Sequence, residues 1–304
     1  TVNFTNVSGN QTIVLSDGGA ATGDQGIEHY ILVGGAGNAH DFTVFPNGGT
    51  LNTGKQNVTV TANGAADIIR YGTGTFTGNL LGLDKNDPDT VQFFGDADIK
   101  GVNGGAETGA KFADFADTNE TVVMTFAQHN GFTQDFKNTN NTQTIKLSDS
   151  GTATGDAGIE QYFLNTVGGP GNDTFTVTPN NGSLTTGKQS VDFGNGVDTV
   201  VFGTGTFTGT MANIGGGDTT KFIGNADIKG ANAGGVITTL VDFNDQNVSV
   251  TMSAVQYFNY TQPFGKTANT QTITLLSSAA ALILGDIGIE DFFLTGTGAY
   301  DFTV

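Results

Sequence analysis

A long internal repeat constrains the fold of this chain more than any other feature of its sequence. Residues 11–17 (QTIVLSD) recur at 143–149 (QTIKLSD), and four of the first five positions recur again at 271–275 (QTITL). These copies begin 132 and then 128 residues apart. We therefore divide the sequence into β-repeat one at 1–132, β-repeat two at 133–262, and the start of a truncated third repeat at 263–304.

Apolar residues alternate with threonine, serine or asparagine inside each repeat, as at 58–60 (VTV), 175–177 (FTV) and 248–252 (VSVTM). A period of two predicts β-strands with one buried face. The segments between them are rich in Gly, Asn and Asp, which are turn residues. No amphipathic helix of normal length is indicated, so the sequence predicts an all-β fold.

A repeat of this length leaves two architectures, because it is far longer than a single solenoid coil of about 20–30 residues. Each repeat is either a stack of several parallel β-solenoid coils, similar to a β-helix or β-roll, or a β-sandwich domain in tandem. The many short segments and the presence of only 5 Pro favour the parallel β-solenoid. Tandem β-sandwich domains are the alternative.

The charge balance restricts the classes of partner. The chain has 11 basic and 29 acidic residues and a net charge of −18. Such a chain is a poor ligand for nucleic acid, which requires a basic surface. No apolar stretch reaches the roughly 18 residues that cross a bilayer, so we expect no membrane insertion. The chain contains no Cys, which excludes disulfides and thiolate metal sites.

The nonapeptide at 168–176 (GGPGNDTFT) matches the pattern Gly-Gly-x-Gly-x-Asp-x-U-x, in which U is a large apolar residue. Glycines allow turns that direct main-chain carbonyls into one pocket, and calcium prefers six to eight oxygen ligands. The motif therefore predicts calcium ligands, and looser matches at 194–200 and 215–218 extend them. The predicted ligands are Gly169, Gly171, Asn172, Asp173, Asp198 and Asp218. A tight Asn-Asp turn before a strand is the alternative interpretation.

Through this nonapeptide the chain resembles RTX-type calcium-binding repeat proteins and, more broadly, bacterial S-layer proteins and giant adhesins. The strict match covers nine residues. The resemblance implies a roll of β-coils, bound calcium, and a secreted or cell-surface location. The chain has no initiator Met and stops inside a repeat, so we expect it to be a piece of a longer surface protein.

A second motif, Gly-Asp-x-Gly-Ile-Glu, occurs in all three repeats and places two carboxylates four residues apart. The pairs are Asp24 and Glu28, Asp156 and Glu160, and Asp286 and Glu290. Paired carboxylates could bind calcium, perform acid–base catalysis, or serve as turn and surface charges. The threefold repetition disfavours catalysis, since a hydrolase needs only one such site.

Three classes of function remain. The first is a non-catalytic, self-assembling structural segment of a bacterial surface protein, whose partners are copies of itself or the remainder of that protein. The second is a carbohydrate- or ice-binding adhesin module, with a cell-surface glycan as one partner. The third is a β-helical polysaccharide-active enzyme. No recurring His, nucleophile elbow or phosphate-binding loop is found, so we predict that the chain is not an enzyme.

Overall fold

The computed structural model describes residues 9–35, 37–48, 51, 53–61, 64–84, 89–102, 112–116, 119–132, 136, 140–164, 171–215, 217–233, 240–244, 246–260, 264, 268–276, 281–297 and 299–303. Contacts divide the chain into two compact units at 1–148 and 149–304, which we call the first unit and the second unit. Each is described by itself below.

The first unit is built from short strands and one short helix. They are β1 (Thr12–Leu15), β2 (Gly19–Thr22), β3 (His29–Leu32), β4 (His40–Thr43), β5 (Asn57–Val60), β6 (Ile68–Tyr71), β7 (Gly74–Thr75), β8 (Leu80–Leu81), β9 (Thr90–Phe93), β10 (Ala97–Asp98), β11 (Phe112–Phe115), β12 (Thr121–Met124), α1 (Phe126–Gly131) and β13 (Thr144–Leu147).

The second unit has the same construction. Its elements are β14 (Thr152–Thr154), β15 (Gln161–Leu164), β16 (Thr174–Val177), β17 (Ser190–Asp192), β18 (Thr199–Phe202), β19 (Gly205–Thr206), β20 (Thr210–Ala212), β21 (Thr219–Phe222), β22 (Ala226–Asp227), β23 (Asn232–Ala233), β24 (Leu240–Asp242), β25 (Val248–Ser253), α2 (Ala254–Asn259), β26 (Gln271–Leu276), β27 (Ala281–Leu284), β28 (Asp291–Thr295) and β29 (Tyr300–Thr303).

Strands of the first unit stack in three hydrogen-bonded rows. One row has the order β1-β3-β5-β8, the second β2-β4-β6-β9-β11, and the third contains β7-β10-β12-β13. Up to β11, each strand is followed in the chain by a strand of another row, and its partner within the row comes one coil later. β12 is followed by α1 and then by its own row partner β13. Every pair with an assigned register in this unit is parallel. The first unit is therefore a parallel β-solenoid.

The second unit repeats this arrangement. Its rows contain β15-β17-β20-β23, β14-β16-β18-β21-β24, and β19-β22-β25-β26-β28, and a short row pairs β27 with β29. Its assigned pairs are also parallel. The parallel β-solenoid prediction is confirmed. The tandem β-sandwich alternative is wrong, because sandwiches pair their strands antiparallel.

The core consists of inward side chains that stack from coil to coil. In the second unit, Phe202 stacks on Phe222 with ring centroids 5.8 Å apart, and Phe222 stacks on Phe243 at 5.7 Å. The first unit has the matching column Tyr71, Phe93 and Phe115. Residues one position away on the same strands face outward, which explains the alternation of apolar and polar residues in the sequence.

Each helix has six residues and follows a strand of the third row, α1 after β12 and α2 after β25. Thr125 accepts a hydrogen bond from the backbone N–H of Gln128, whose side chain bonds back to the backbone of Thr125; Ser253 and Gln256 form the same capping box before α2. The sequence signal was present as Thr-x-x-Gln and Ser-x-x-Gln. Within the described residues, no helix has the length and apolar character needed to cross a bilayer.

The sequence Thr-Gly-Thr-Phe-Thr-Gly occurs at 73–78 and at 204–209, and both segments end in glycine because the coils approach closely there. A Cβ placed on Gly209 would lie 1.7 Å from the carbonyl oxygen of Gln189 in the preceding coil, and one placed on Gly78 would lie 1.7 Å from that of Gln56. A main-chain carbonyl cannot move aside without separating the coils. These glycines are therefore required by the stacking.

We predict that Gly209→Ala destabilises the protein by about 1–3 kcal/mol, the usual cost of overpacking. The matched control is Gly203→Ala in the same coil, since a Cβ there meets nothing within 4 Å. The control is expected to change the free energy of unfolding by about 0.5 kcal/mol or less. Urea unfolding followed by circular dichroism measures both, and equal destabilisation by the two variants would contradict the close approach.

Candidate functional site

Three buried aspartates form a column at one corner of the second unit. Asp173, Asp198 and Asp218 directly precede β16, β18 and β21, which are neighbours in one row. The backbone N–H of Asp173 donates to Oδ1 of Asp198 at 2.8 Å, and the N–H of Asp198 donates to Oδ1 of Asp218 at 2.7 Å. The N–H of Gly151 donates to Oδ1 of Asp173 at 2.9 Å. We call this column of side chains the aspartate ladder.

The ladder continues the coil-to-coil hydrogen bonding beyond the strands. At this corner each carboxylate accepts the backbone N–H that the neighbouring coil would otherwise leave unpaired and buried. Such an unpaired group costs about 1–3 kcal/mol. Thus the Oδ1 atoms of the ladder have a structural role that is independent of any ligand.

The second carboxylate oxygens differ. The side-chain Oδ2 atoms of Asp173 and Asp198 are buried and have no hydrogen-bond donor among the described residues, and each of these residues is 1% exposed. In Asp218, by contrast, Oδ2 accepts the backbone N–H of Gly215. Buried carboxylate oxygens without donors are unfavourable unless they are protonated or bind a cation.

Burial also changes the acidity of these groups. It raises the pKa of Asp173, and the carboxylate of Asp149 adds to this rise while the hydrogen bond from Gly151 opposes it. Burial raises the pKa of Asp198 to about 6, with smaller contributions from the charges of Asp173 and Asp218 against the hydrogen bond from Asp173. The ladder is therefore a place where the protein stabilises positive charge or a proton.

Glycine lets the coils approach each other beside the ladder. Gly171 and Gly196 form a parallel bridge, and a Cβ on Gly196 would lie 1.6 Å from the carbonyl oxygen of Gly171. The exposed Asn172 accepts the backbone N–H of Val197 through Oδ1 at 3.2 Å. Gly169, the remaining predicted ligand of the nonapeptide, lies outside the described residues.

In each Gly-Asp-x-Gly-Ile-Glu loop, the two carboxylates accept hydrogen bonds from different donors. In the first loop, Asp24 Oδ1 accepts the N–H of Gly26 at 3.1 Å, whereas Glu28 Oε2 accepts the N–H of Gln11 in the neighbouring coil at 2.8 Å. In the second loop, Asp156 Oδ2 accepts from Tyr162 Oη, whereas Glu160 Oε1 accepts the N–H of Thr185. In the third loop, Asp286 Oδ1 accepts the N–H groups of Gly288 and Phe264, whereas Glu290 Oε2 accepts the N–H of Gln271.

Buried glutamines that close these loops were missed by the sequence analysis. Nε2 of Gln189 donates to the carbonyl oxygens of Asp156 and Ile159, both at 2.9 Å, and its Oε1 accepts the N–H of Thr178. Gln56 makes the equivalent bonds in the first unit. The repeated Thr-Gly-Lys-Gln at 53–56 and 186–189 is the signal that could have identified them.

The described residues contain no group of three or more His, Asp or Glu side chains placed to hold a metal ion together. Among the described carboxylates, those of Asp173 and Asp198 each have a buried Oδ2 without a hydrogen-bond donor. No protein-family model, curated protein or solved structure matches the chain.

We predict that Asp198→Asn removes a pH dependence of stability in the calcium-free protein. The pKa of Asp198 is raised from 3.8 in the unfolded chain to about 6 in the folded protein, so folding favours the protonated carboxyl. The contribution of this group to the free energy of unfolding is complete below about pH 4 and is lost as the pH rises through 6. The difference amounts to on the order of 2–3 kcal/mol. Asparagine is neutral at every pH and retains the Oδ1 acceptor.

The measurement is the free energy of unfolding at pH 4.5 and pH 7.5 in EDTA, for wild type, Asp198→Asn and the control Asp291→Asn. Asp291 is exposed and loses the same charge. A flatter pH profile in both variants would attribute the effect to net charge rather than to the ladder.

Proposed function

We propose that this chain is a non-catalytic structural segment of a secreted bacterial surface protein, such as an S-layer protein, adhesin or filament subunit. It assembles with copies of itself or with the remainder of a longer surface protein, and calcium stabilises it. The observation that carries the proposal is the way in which one repeat is joined to the next. That junction occurs in each unit.

At each junction, the first strand of a repeat pairs in parallel with the last strand of the preceding repeat. In the first unit β12 pairs with β13, so that Thr121 lies opposite Thr144 and Met124 opposite Leu147. In the second unit β25 pairs with β26 over six residue positions. Coil stacking thus continues from repeat to repeat, and a solenoid of this kind gains length by adding repeats. This property suits a spacer or an assembled surface layer.

A strand at the end of a row can pair with a further β-strand, which belongs either to the remainder of a longer protein or to another copy. In the described residues β1 pairs only with β3, and β28 pairs only with β26. Phe293 on β28 is 56% exposed, and Phe292 on the inward side is only half-buried. A strand edge with exposed apolar side chains is a template for pairing with a further β-strand. The net charge of −18 keeps such a chain soluble and favours cations as partners.

The carbohydrate-binding alternative has less support. It predicts exposed aromatic side chains beside acids. In the first two repeats the aromatic residue two positions after the Gly-Asp-x-Gly-Ile-Glu motif is Tyr30 and Tyr162, and both are buried in the core. Tyr30 stacks on Phe42, and Tyr162 stacks on Phe175.

The ice-binding alternative depends on threonines in a regular outward array. On the third row of the first unit, Thr75 is followed across the coils by Asp98, Val123 and Lys146. The matching row of the second unit continues from Thr206 to Asp227. In this row of each unit a carboxylate follows the threonine in the next coil, so these threonines do not form a continuous array.

The enzyme alternative requires a catalytic acid pair. The three candidate pairs each accept hydrogen bonds that hold their own loops and neighbouring coils together, as described above. A structural role accounts for their repetition.

We predict that the protein forms fibres or sheets in negative-stain electron micrographs with calcium in millimolar excess, and fewer or none in EDTA. Phe293→Lys is expected to reduce assembly at least several-fold, since a charged side chain on an edge strand opposes strand addition. The control is Val255→Lys on α2, whose parent side chain is 69% exposed. A monomeric wild-type protein under all conditions, with binding to a glycan array, would instead favour the adhesin module.

A further inference from the structure

The first unit contains a ladder of the same kind, but it begins with a histidine. The N–H of His40 donates to Oδ1 of Asp67 at 2.7 Å, and the N–H of Asp67 donates to Oδ1 of Asp89 at 2.9 Å. Asp67 and Asp89 directly precede β6 and β9, which are neighbours in one row. His40 therefore occupies the first ladder position of this unit.

Asp173 occupies the first ladder position of the second unit. Phe42 and Phe175 lie two residues after His40 and Asp173, and they pack on equivalent tyrosines with ring centroids 4.8 and 4.7 Å apart. The position is thus held in the same framework in both units, and its side chain differs.

The imidazole of His40 is fixed at one nitrogen and has no partner at the other. His40 is 3% exposed, and its Nδ1 lies 3.1 Å from Oδ1 of Asp67. Because an ionised carboxylate only accepts hydrogen bonds, Nδ1 carries the proton in this contact. In the neutral ring Nε2 then presents a lone pair, and this atom is buried without a hydrogen-bond partner among the described residues. A buried acceptor of this kind is unfavourable until a donor reaches it.

His40 also lines a cavity of about 150 Å³ in the first unit. The apolar part of its wall comprises Leu15, Leu32 and Phe42, and the last two side chains are buried. Gly19 lies opposite His40 in the adjacent coil, and a Cβ placed on Gly19 would meet nothing within 4 Å. Space thus remains beside the imidazole, and Nε2 is the ring nitrogen left to face it, since Nδ1 is already engaged.

Asp17 adds a negative charge to the same cavity. It lines the cavity and is exposed, as are the neighbouring Gly18 and Gly19. The cavity therefore combines a buried acceptor, apolar walls and an exposed carboxylate. An organic ammonium ion matches all three, because its N–H groups donate to the imidazole and the carboxylate while its hydrocarbon part packs on the apolar walls. A hydrated metal ion would instead place its water shell against leucine and phenylalanine side chains.

We infer that this cavity binds a small primary ammonium ion with an aromatic or branched aliphatic body, recognised by His40 and Asp17. A cavity of this volume with apolar walls accommodates a benzene ring, so the ligand is about the size of benzylammonium. The site requires neither calcium nor assembly and goes beyond the structural role proposed above. In the second unit the corresponding position is used differently, since Asp173 Oδ1 accepts the N–H of Gly151.

The inference is tested with benzylammonium chloride, titrated into the whole chain at pH 8 and followed by isothermal titration calorimetry and by NMR of the histidine side chains. We expect a Kd of about 10⁻⁴–10⁻³ M, as is usual for a ligand of this size. The chain contains three His. The Nε2 resonance of His40, assigned by its loss in His40→Asn, should shift with occupancy, whereas those of His29 and His129 should not.

Three variants separate the contributions to binding. His40→Asn keeps a donor towards Asp67 and removes Nε2, so it is expected to weaken benzylammonium binding at least tenfold. Asp17→Asn is expected to weaken binding several-fold. Its matched control is Asp149→Asn, because Asp149 is the exposed aspartate of the same motif in the second unit. Ala21→Leu fills the cavity without touching either polar group and should abolish binding, since Ala21 lines the cavity opposite Phe42.

Thermal unfolding by circular dichroism verifies that each variant is folded, and Asp17→Asn and Ala21→Leu keep the test decisive if His40→Asn is not. Benzyl alcohol retains the ring and one donor but has no charge, and it should bind at least tenfold more weakly. Equal affinity for the two probes would overturn the inference, as would unchanged affinity in the cavity variants. A wild type that binds zinc chloride but not benzylammonium, or that binds neither at millimolar concentration, would also overturn it.

Discussion

Main-chain hydrogen bonding between parallel coils is the interaction on which the rest of this structure depends. It holds neighbouring coils at one strand spacing, about 4.8 Å, along each row of strands. Any side chain at the same position in successive coils then meets its counterpart at that spacing. Aromatic side chains in successive coils therefore stack on one another, as in the column formed by Phe202, Phe222 and Phe243. Positions such as Gly209 permit no side chain at all.

The same constraint explains the buried polar residues. Strands in this fold are short, so many main-chain groups at the corners lie beyond the regular pairing. Aspartates accept the unpaired N–H groups, and glutamines such as Gln56 and Gln189 donate to the unpaired carbonyls. The result is a core that is apolar along the strands and polar at the corners, with side chains performing the pairing that the backbone cannot complete.

A ladder of aspartates solves the pairing problem and creates an electrostatic one. Each carboxylate needs only one oxygen to accept the neighbouring N–H, and the other oxygen still needs a donor, a proton or a cation. The first unit places His40 against Asp67, whereas the second places Asp173 against Asp198. The two units are thus natural variants of one framework, which tolerates either an imidazole or a carboxylate at the first position.

The sequence by itself determined that the chain is all-β, repeated and built on a period of two, because these features are local patterns of side chains. It also singled out Asp173, Asp198 and Asp218 through their glycine-rich turns. It could not determine which turns lie above one another. Coil lengths vary, and the strands of one row in the first unit begin at residues 19, 40, 68, 90 and 112. Only the tertiary structure brought the aspartates into one column and directed Asp24 and Glu28 to different donors. It also placed His40 at the position in the first unit that Asp173 occupies in the second. The physical reason is that stacking register is set by hydrogen bonds between residues 17 or more positions apart, and no short sequence pattern records them.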